Sequence, residues 1–118
     1  MWEVEYTDEF AAWFGSLNED EQNAVARGVE TLRLTGPALG RPHADTVKRS
    51  RHANMKELRT QYAGKPYRTF FAFDPRRTAI LLIGGMKAGD ARFYQRVLPL
   101  ADDLYDIYLQ ELRKEGLI

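Results

Sequence analysis

The sequence predicts an α+β fold in which an N-terminal strand and a helical hairpin precede a mostly antiparallel sheet and a C-terminal helix. Apolar and charged residues alternate in "WEVEY", and apolar residues then recur at helical spacing. Three segments of strand character, separated by the turn sequences "AGKP" and "DPRR", come before a last helical segment. We expect the 118 residues to form a single domain spanning 1–118.

The helical hairpin carries clear start and stop signals. Thr7 is predicted to cap a first short helix, because acidic residues follow it in the positive first turn. Asn18 is predicted to cap a second helix, with Glu21 at the capping-box position three residues later. Gly36 and Pro37 should end that helix.

The second half of the chain predicts consecutive antiparallel hairpins. Residues 36–53 show no periodicity, which is typical of a functional or poorly ordered connection. The third strand is apolar on both faces and should be central. Asp90 is predicted to cap the final helix, which Pro99 either kinks or restarts. The three predicted strands are residues 54–62, 67–73 and 78–86.

The composition excludes several kinds of site. Without cysteine, the chain has neither disulfides nor a cysteine-based zinc site. The two histidines, His43 and His52, fit no zinc spacing, although either could titrate near neutral pH. The start has no signal-peptide pattern and no apolar run is long enough to span a bilayer, so we expect a cytoplasmic protein without membrane contact.

The formal net charge of zero hides a strong segregation of charge along the chain. Residues 1–40 hold two Lys or Arg against eight Asp or Glu, and residues 97–118 hold two against five. Residues 41–96 hold thirteen against four. This distribution predicts a basic face that binds a polyanion. The alternative is that the positive residues lie on several faces.

Basic side chains in the predicted sheet alternate with apolar and aromatic ones. Lys56 and Arg59 lie on the first of the three strands, and Arg68 lies on the second. Arginine or lysine beside aromatic rings on a rigid sheet is typical of single-stranded RNA binding. The alternative is that Arg59 pairs with Glu57 or Asp74 while the aromatic rings only form the core.

The chain resembles a known family in the order of its motifs. The strings "NMKELR", "YRTFFAFDPRRTAILLIGGMKAGDARFY" and "LPLADDLYDIYLQEL" are similar to the RelE/HigB-type toxins of the RelE/ParE superfamily, in particular the phage-derived Gp49-like HigB branch. The resemblance covers nearly the whole chain, although no single string is a strict signature. It implies a RelE-like fold and the role of the toxin in a type II toxin-antitoxin pair.

The resemblance also implies an activity and partners. Toxins of this kind are metal-independent endoribonucleases that cleave mRNA in the ribosomal A site and so inhibit translation. The implied partners are the ribosome, its mRNA and a HigA-like antitoxin with a helix-turn-helix domain, and operator DNA is bound only through the toxin-antitoxin complex. No cofactor and no metal are implied.

Metal-free RNA cleavage requires a base, an acid and cations that stabilise charge on phosphorus. A guanidinium grips two phosphate oxygens, so the arginines are assigned to phosphate binding. Lys87 is assigned as the group that stabilises the transition state or acts as the general base, and Tyr94 as a general acid or base. Positive neighbours are expected to lower the pKa of either side chain. The candidate catalytic residues are Lys87, Arg68 and Tyr94, and the candidate RNA-binding residues are Lys56, Arg59, Lys65 and Arg92.

Two positions depart from the family pattern, and two other functions remain open. Met86 replaces an acid next to Lys87, and Tyr108 stands where relatives often have histidine. One alternative is a non-enzymatic phage-derived module that binds RNA or a host protein. The other alternative is a metal-dependent nuclease. The acidic residues that could bind its metal follow no recognisable metal-ligand spacing. Those ligands are Asp45, Glu57, Asp74 and Asp90.

Overall fold

The computed structural model describes residues 1–118 and has the predicted α+β architecture, a five-stranded mixed sheet with helices on both faces. Its topology is that expected of a RelE-like fold. None of its helices has the length and apolar character needed to cross a bilayer. The elements are β1 (Val4–Tyr6), α1 (Asp8–Gly15), α2 (Glu19–Thr35), a 3-10 turn (Gly36–Ala38), β2 (Ala44–Thr46), β3 (Lys56–Tyr62), β4 (Lys65–Phe73), β5 (Ala79–Met86) and α3 (Phe93–Lys114).

The strands lie in the order β1-β5-β4-β3-β2. As predicted, β3, β4 and β5 form consecutive antiparallel pairs, and β2 adds to β3 in the same sense. The N-terminal strand β1 pairs with β5 in parallel. The third predicted strand, β5, is therefore not the middle strand, a position that β4 takes. It is nevertheless buried on both faces, because β1 and β4 flank it and helices cover it.

The predicted caps of α1 and α2 are confirmed. The Thr7 hydroxyl accepts a hydrogen bond from the Phe10 amide at 3.0 Å. Asn18 and Glu21 form a reciprocal capping box with distances of 2.8 and 2.9 Å. The second carboxylate oxygen of Glu21 accepts a hydrogen bond from the hydroxyl of Tyr67 on β4. The N-terminus of α2 is thus fastened directly to the sheet.

Two hydrophobic clusters cover the two faces of the sheet. The α1–α2 side contains Leu58, Phe71 and Leu81, whereas the α3 side contains Phe70 and Leu82. Alternation along the strands separates these sets, since neighbouring side chains point to opposite faces. Every side chain of β3 and β4 is therefore committed to one of the two sides.

Adjacent glycines on β5 let both helical layers approach closely. A Cβ at Gly84 would lie 2.3 Å from the Trp13 ring of α1, and one at Gly85 would lie 2.7 Å from the Phe93 ring of α3. Any larger residue would force an aromatic ring away from the sheet. The close approach at Gly85 places the first turn of α3, and with it Tyr94, against β4 and β5.

Three local predictions need correction. The segment 36–53 is not wholly irregular, because it contains the 3-10 turn and the edge strand β2. Asp90 does not cap α3. Its carboxylate accepts from the Arg92 amide at 3.0 Å in the turn before the helix, which begins at Phe93. Pro99 lies inside one continuous helix and does not restart it.

Candidate functional site

A cleft opens on the α3 side of the sheet, where β2, β3 and the first turn of α3 meet. Its volume is about 310 Å³. A smaller groove of about 160 Å³ runs along α3 and shares Arg49 and Tyr94 with the cleft. The cleft is lined by Thr46, Val47, Lys48, Arg49, Glu57, Arg59 and Tyr94.

The buried carboxylate of Glu57 organises this cleft. Glu57 is only 3% exposed. Its Oε1 accepts a hydrogen bond from the Tyr94 hydroxyl at 2.7 Å, and its Oε2 accepts one from Arg59 Nε at 2.9 Å. Arg68 Nε lies 3.5 Å from the same Oε2. One carboxylate therefore holds two guanidinium groups and a phenol.

The strand register explains why two arginines meet here. Arg59 on β3 lies directly opposite Arg68 on β4, and both share the α3 face with Phe70. Like charges in directly opposed positions destabilise a sheet. Glu57, two residues before Arg59 on the same face, offsets this repulsion.

Arg59 forms a second ion pair at the edge of the cleft. Its Nη2 lies 3.3 Å from Asp45 Oδ2 on β2, and the same oxygen accepts from Arg41 Nε at 2.9 Å. The hydrogen bond from Arg41 is the main cause that lowers the pKa of Asp45. The hydrogen bond to Glu57 raises the pKa of Arg59. The alternative that Arg59 pairs with Glu57 is thus confirmed, and a third of its side chain remains exposed.

Arg68 retains unused hydrogen-bond donors. Its Nη1 donates to the Tyr67 carbonyl at 3.1 Å, and its Nε is buried without a hydrogen-bond partner. Only 12% of the side chain is exposed. A guanidinium with free donors can bind phosphate oxygens.

The proton of the Tyr94 hydroxyl is held by Glu57. Burial, and then the hydrogen bond to Glu57, raise the pKa of Tyr94, and the opposing effect of Arg68 is smaller. The expectation that positive neighbours lower its pKa is therefore wrong, because burial and a carboxylate outweigh the guanidinium. A phenol that stays protonated at neutral pH can give a proton but cannot accept one.

Lys87 lies next to Tyr94. Its Nζ is 5.3 Å from the centroid of the Tyr94 ring, a cation–π contact. Its backbone amide donates to the Pro66 carbonyl at 2.8 Å, which fixes the chain just after β5. Next to it, Met86 is 40% exposed and brings no negative charge to the lysine.

The structure does not bring three of the predicted RNA-binding residues into this group. Lys56 shares the opposite face with Leu58, and its Nζ donates to the Pro37 carbonyl at 3.1 Å. Lys65, at the exposed start of β4, lies near Glu21; the hydrogen bond from Tyr67 is the main cause that lowers the pKa of that carboxyl, and Lys65 adds to it. Arg92 is exposed at the start of α3 and forms no ion pair.

Three charged residues of the cleft are absent from the predicted site. From the sequence, Glu57 is assigned only as a metal ligand or as the partner of Arg59, although a lone acid among basic residues is a usable signal. Lys48 and Arg49 belong to "KRSRH" in the segment predicted to be irregular. Lys48 and Arg49 lie beside Tyr94 because that segment packs on α3. This packing cannot be predicted from a local sequence pattern.

The remaining candidates lie outside the cleft. His52 Nε2 is 2.7 Å from Asp106 Oδ1 on α3, and the side chain of His43 is exposed. The Tyr108 hydroxyl donates to Asp74 Oδ2 at 2.7 Å and helps to join the β4–β5 turn to α3. No group of three or more histidine or acidic side chains could hold a metal ion.

Comparison with known proteins identifies the family. The model of the family described as "Phage derived protein Gp49-like (DUF891)" matches residues 12–106, which include every candidate site residue. The chain belongs to this Gp49-like family. Its resemblance to HigB-type toxins is also supported by relatives from Mycobacterium tuberculosis (strain ATCC 25618 / H37Rv).

Two of these relatives carry toxin names. The protein named "Putative toxin HigB3" is 47% identical over 98 residues, which cover 82% of this chain and 84% of that protein. "Putative toxin HigB2" is 41% identical over 106 residues, which cover 88% of this chain and 53% of that protein. The chain thus spans about half the length of the second relative. These identities confirm the resemblance to HigB-type toxins that the order of motifs indicated.

Proposed function

We propose that this Gp49-like chain, acting as a single domain, is the toxin of a type II toxin-antitoxin pair and cleaves mRNA on the ribosome without a metal. The observation that carries the proposal is the convergence of Arg68, Tyr94 and Lys87 on one side of the sheet, around Glu57. The family match and the toxin names of the relatives support the biological role. A HigA-like helix-turn-helix antitoxin is the proposed partner that neutralises the chain.

The proposed reaction uses the nucleophile that RNA carries. The 2′-hydroxyl attacks the adjacent phosphorus, the bond to the 5′-oxygen of the next nucleotide breaks, and that oxygen takes up a proton. The products are a 2′,3′-cyclic phosphate and a free 5′-hydroxyl. Arg59 and Arg68 would bind the phosphate oxygens, Lys87 would stabilise the charge that builds on phosphorus, and a water molecule would take the 2′-proton.

Tyr94 is assigned the proton that the leaving oxygen needs. The phenol carries a proton at neutral pH, as a general acid must, although its raised pKa makes it a weaker acid than a free tyrosine. To deliver that proton the hydroxyl would turn from Glu57 toward the leaving oxygen. Glu57 accepts the phenolic hydrogen bond and orients the ring, while Lys87 lies 5.3 Å from the ring centroid. A cation beside the ring favours the phenolate that forms as the proton is given away.

The first test is induction of this chain alone in a bacterial host, with and without the gene beside it, followed by mapping of mRNA 5′ ends. We expect growth arrest, cuts that follow the reading frame, fragments with 5′-hydroxyl ends, and recovery when the neighbouring gene is expressed. Growth arrest with intact mRNA would instead identify a non-enzymatic binding module. Fragments with 5′-phosphate ends would contradict the 2′-hydroxyl mechanism.

Two variants assign the reaction to Tyr94 and the lysine beside it. Tyr94→Phe and Lys87→Ala should each lower the cleavage rate by about 100-fold or more, the usual contribution of acid–base and electrostatic groups. Lys114→Ala is the matched control, because it removes an exposed charge without an ion pair at the end of α3. Circular dichroism should show that each variant folds. Full activity in both the Tyr94 and the Lys87 variant would remove this site.

A further inference from the structure

The loop between β2 and β3 brings two unpaired positive charges to the cleft. Lys48 and Arg49 are exposed and form no ion pair, and both line the cleft beside Arg59 and Tyr94. Arg49 also lines the smaller groove along α3, together with Gln95. Positive side chains therefore extend from the group formed by Arg59, Arg68 and Lys87 into the groove along α3.

The loop is held firmly at its base. The Val47 amide donates to the Met55 carbonyl at 2.9 Å, and both side chains are buried in the α3-side cluster. The middle of the loop is tied to α3 as well. Ser50 Oγ donates to Asp102 Oδ1 at 2.5 Å, and His52 Nε2 lies 2.7 Å from Asp106 Oδ1. A loop fixed at both places presents the side chains between them in a defined position.

The acidic residues nearest to the loop are already occupied. Arg51 forms an ion pair with Asp103 at 2.9 Å and another with Asp106. The hydrogen bond from Arg51 is the main cause that lowers the pKa of Asp106. These carboxylates therefore compensate the charge of Arg51 and leave Lys48 and Arg49 available for an external anion.

We propose that Lys48 and Arg49 bind a backbone phosphate of the mRNA next to the scissile phosphate. The proposal rests on the proposed function and adds a second phosphate subsite to it. Single-stranded RNA is the substrate class, because a cleft with separate cationic groups and an aromatic side chain matches a flexible chain of phosphates and bases. Arg49 lines both the cleft and the groove, so the RNA continues along the first turns of α3.

The test is single-turnover cleavage of mRNA on programmed ribosomes over a range of protein concentrations. The double variant Lys48→Ala/Arg49→Ala should raise the half-saturating concentration by about tenfold, the loss expected for two exposed ion-pair contacts. The maximal rate should change less than twofold, because the chemical groups remain in place. Arg113→Ala/Lys114→Ala removes the same charge from the far end of α3 and should leave both values unchanged.

A neutral phosphate distinguishes mRNA from ribosomal RNA as the source of the anion. Methylphosphonates are placed one at a time on either side of the scissile phosphate. If Lys48 and Arg49 bind the mRNA, one of the two methylphosphonates raises the half-saturating concentration of the wild-type protein but does not raise that of the double variant further. If each methylphosphonate raises the half-saturating concentration equally in the wild type and in the double variant, the loop does not bind the mRNA phosphates, and the subsite is overturned.

The remaining outcomes separate this subsite from the proposed function. If wild type cuts nothing on programmed ribosomes, the proposed function fails and the subsite fails with it. If wild type cuts and the double variant has an unchanged half-saturating concentration, only the subsite is overturned.

Discussion

At the scale of single residues, the site depends on a carboxylate rather than on its cations. A buried carboxylate is costly unless it is paired and hydrogen-bonded, and Glu57 is both. Without it, Arg59 and Arg68 would face each other across β3 and β4. Glu57 therefore allows the two guanidinium groups to lie side by side.

Glu57→Gln tests this role directly. The amide keeps the shape but loses the charge, so we expect the free energy of unfolding to fall by about 1–3 kcal/mol. The pKa of Tyr94 should also fall, because the negative charge that helps to raise it is gone while Arg68 remains. Urea unfolding measures the first effect, and ultraviolet titration against Tyr94→Phe measures the second.

The matched control for this prediction is Glu111→Gln. Glu111 is exposed on α3 and forms no ion pair, so its substitution should change stability by less than about 0.5 kcal/mol. Equal stability of the Glu57 and Glu111 variants would mean that the buried carboxylate does not organise the arginines.

At the scale of elements, the contact between α2 and β4 couples helix capping to the sheet. Tyr67 is 2% exposed and donates its hydroxyl to Glu21, whose other oxygen completes the capping box. The hydrogen bond to Glu21, followed by burial, raises the pKa of Tyr67 from an ordinary 10.0 to about 12. Folding thus favours the protonated phenol.

This coupling predicts a loss of stability in alkali. A folded-state pKa above the unfolded value gives stability that is complete below the unfolded value and is lost as pH rises through the folded one. The free energy of unfolding should therefore decline as pH rises above about 10. Tyr67→Phe should be less stable at pH 8 and decline less steeply, whereas the control Tyr6→Phe, at an exposed position, should follow wild type. Parallel pH profiles for both variants and wild type would contradict this account.

Local signals predicted these elements well. The Thr7 cap, the Asn18 capping box and the successive hairpins each depend on residues close together in sequence, and all were predicted correctly. The start of α3 was misplaced because Asp90 is a good cap in principle, yet its carboxylate is taken by a turn and by Arg96. Only the tertiary structure shows whether Asp90 caps the helix or binds the turn and Arg96.

The site was predicted less completely because its assembly is long-range. Arg59, Arg68 and Tyr94 were named from their residue types and from the resemblance. Alternation correctly separated Lys56 from Arg59, but it could not show that Lys56 reaches the Pro37 carbonyl on the other side. Arg49 owes its position to contacts of its loop with Asp102, about fifty residues away in sequence.

At the scale of the whole molecule, the basic middle of the chain does not form one uniform face. Arg51 and Arg76 are compensated by acidic neighbours, and Lys56 lies on the α1–α2 side of the sheet. A net charge of zero provides no long-range attraction to RNA, so binding must depend on where the uncompensated charges lie. The cleft holds two of them, Lys48 and Arg49, beside the aromatic side chain of Tyr94.

Two double variants that each remove two positive charges distinguish binding by a local basic face from binding that depends only on the total positive charge. Each phosphate neutralised on a single strand contributes about −0.7 to the slope of log K against log salt. Because the proposed subsite holds one phosphate, Lys48→Ala/Arg49→Ala should reduce the slope for binding to programmed ribosomes by about 0.7. Lys56→Ala/Lys65→Ala removes the same charge from the opposite side of the sheet, and we expect the wild-type slope. If both double variants reduce the slope equally, RNA binding depends on the total charge of residues 41–96. Lys56 and Lys65 would then count as RNA-binding residues, as predicted from the sequence.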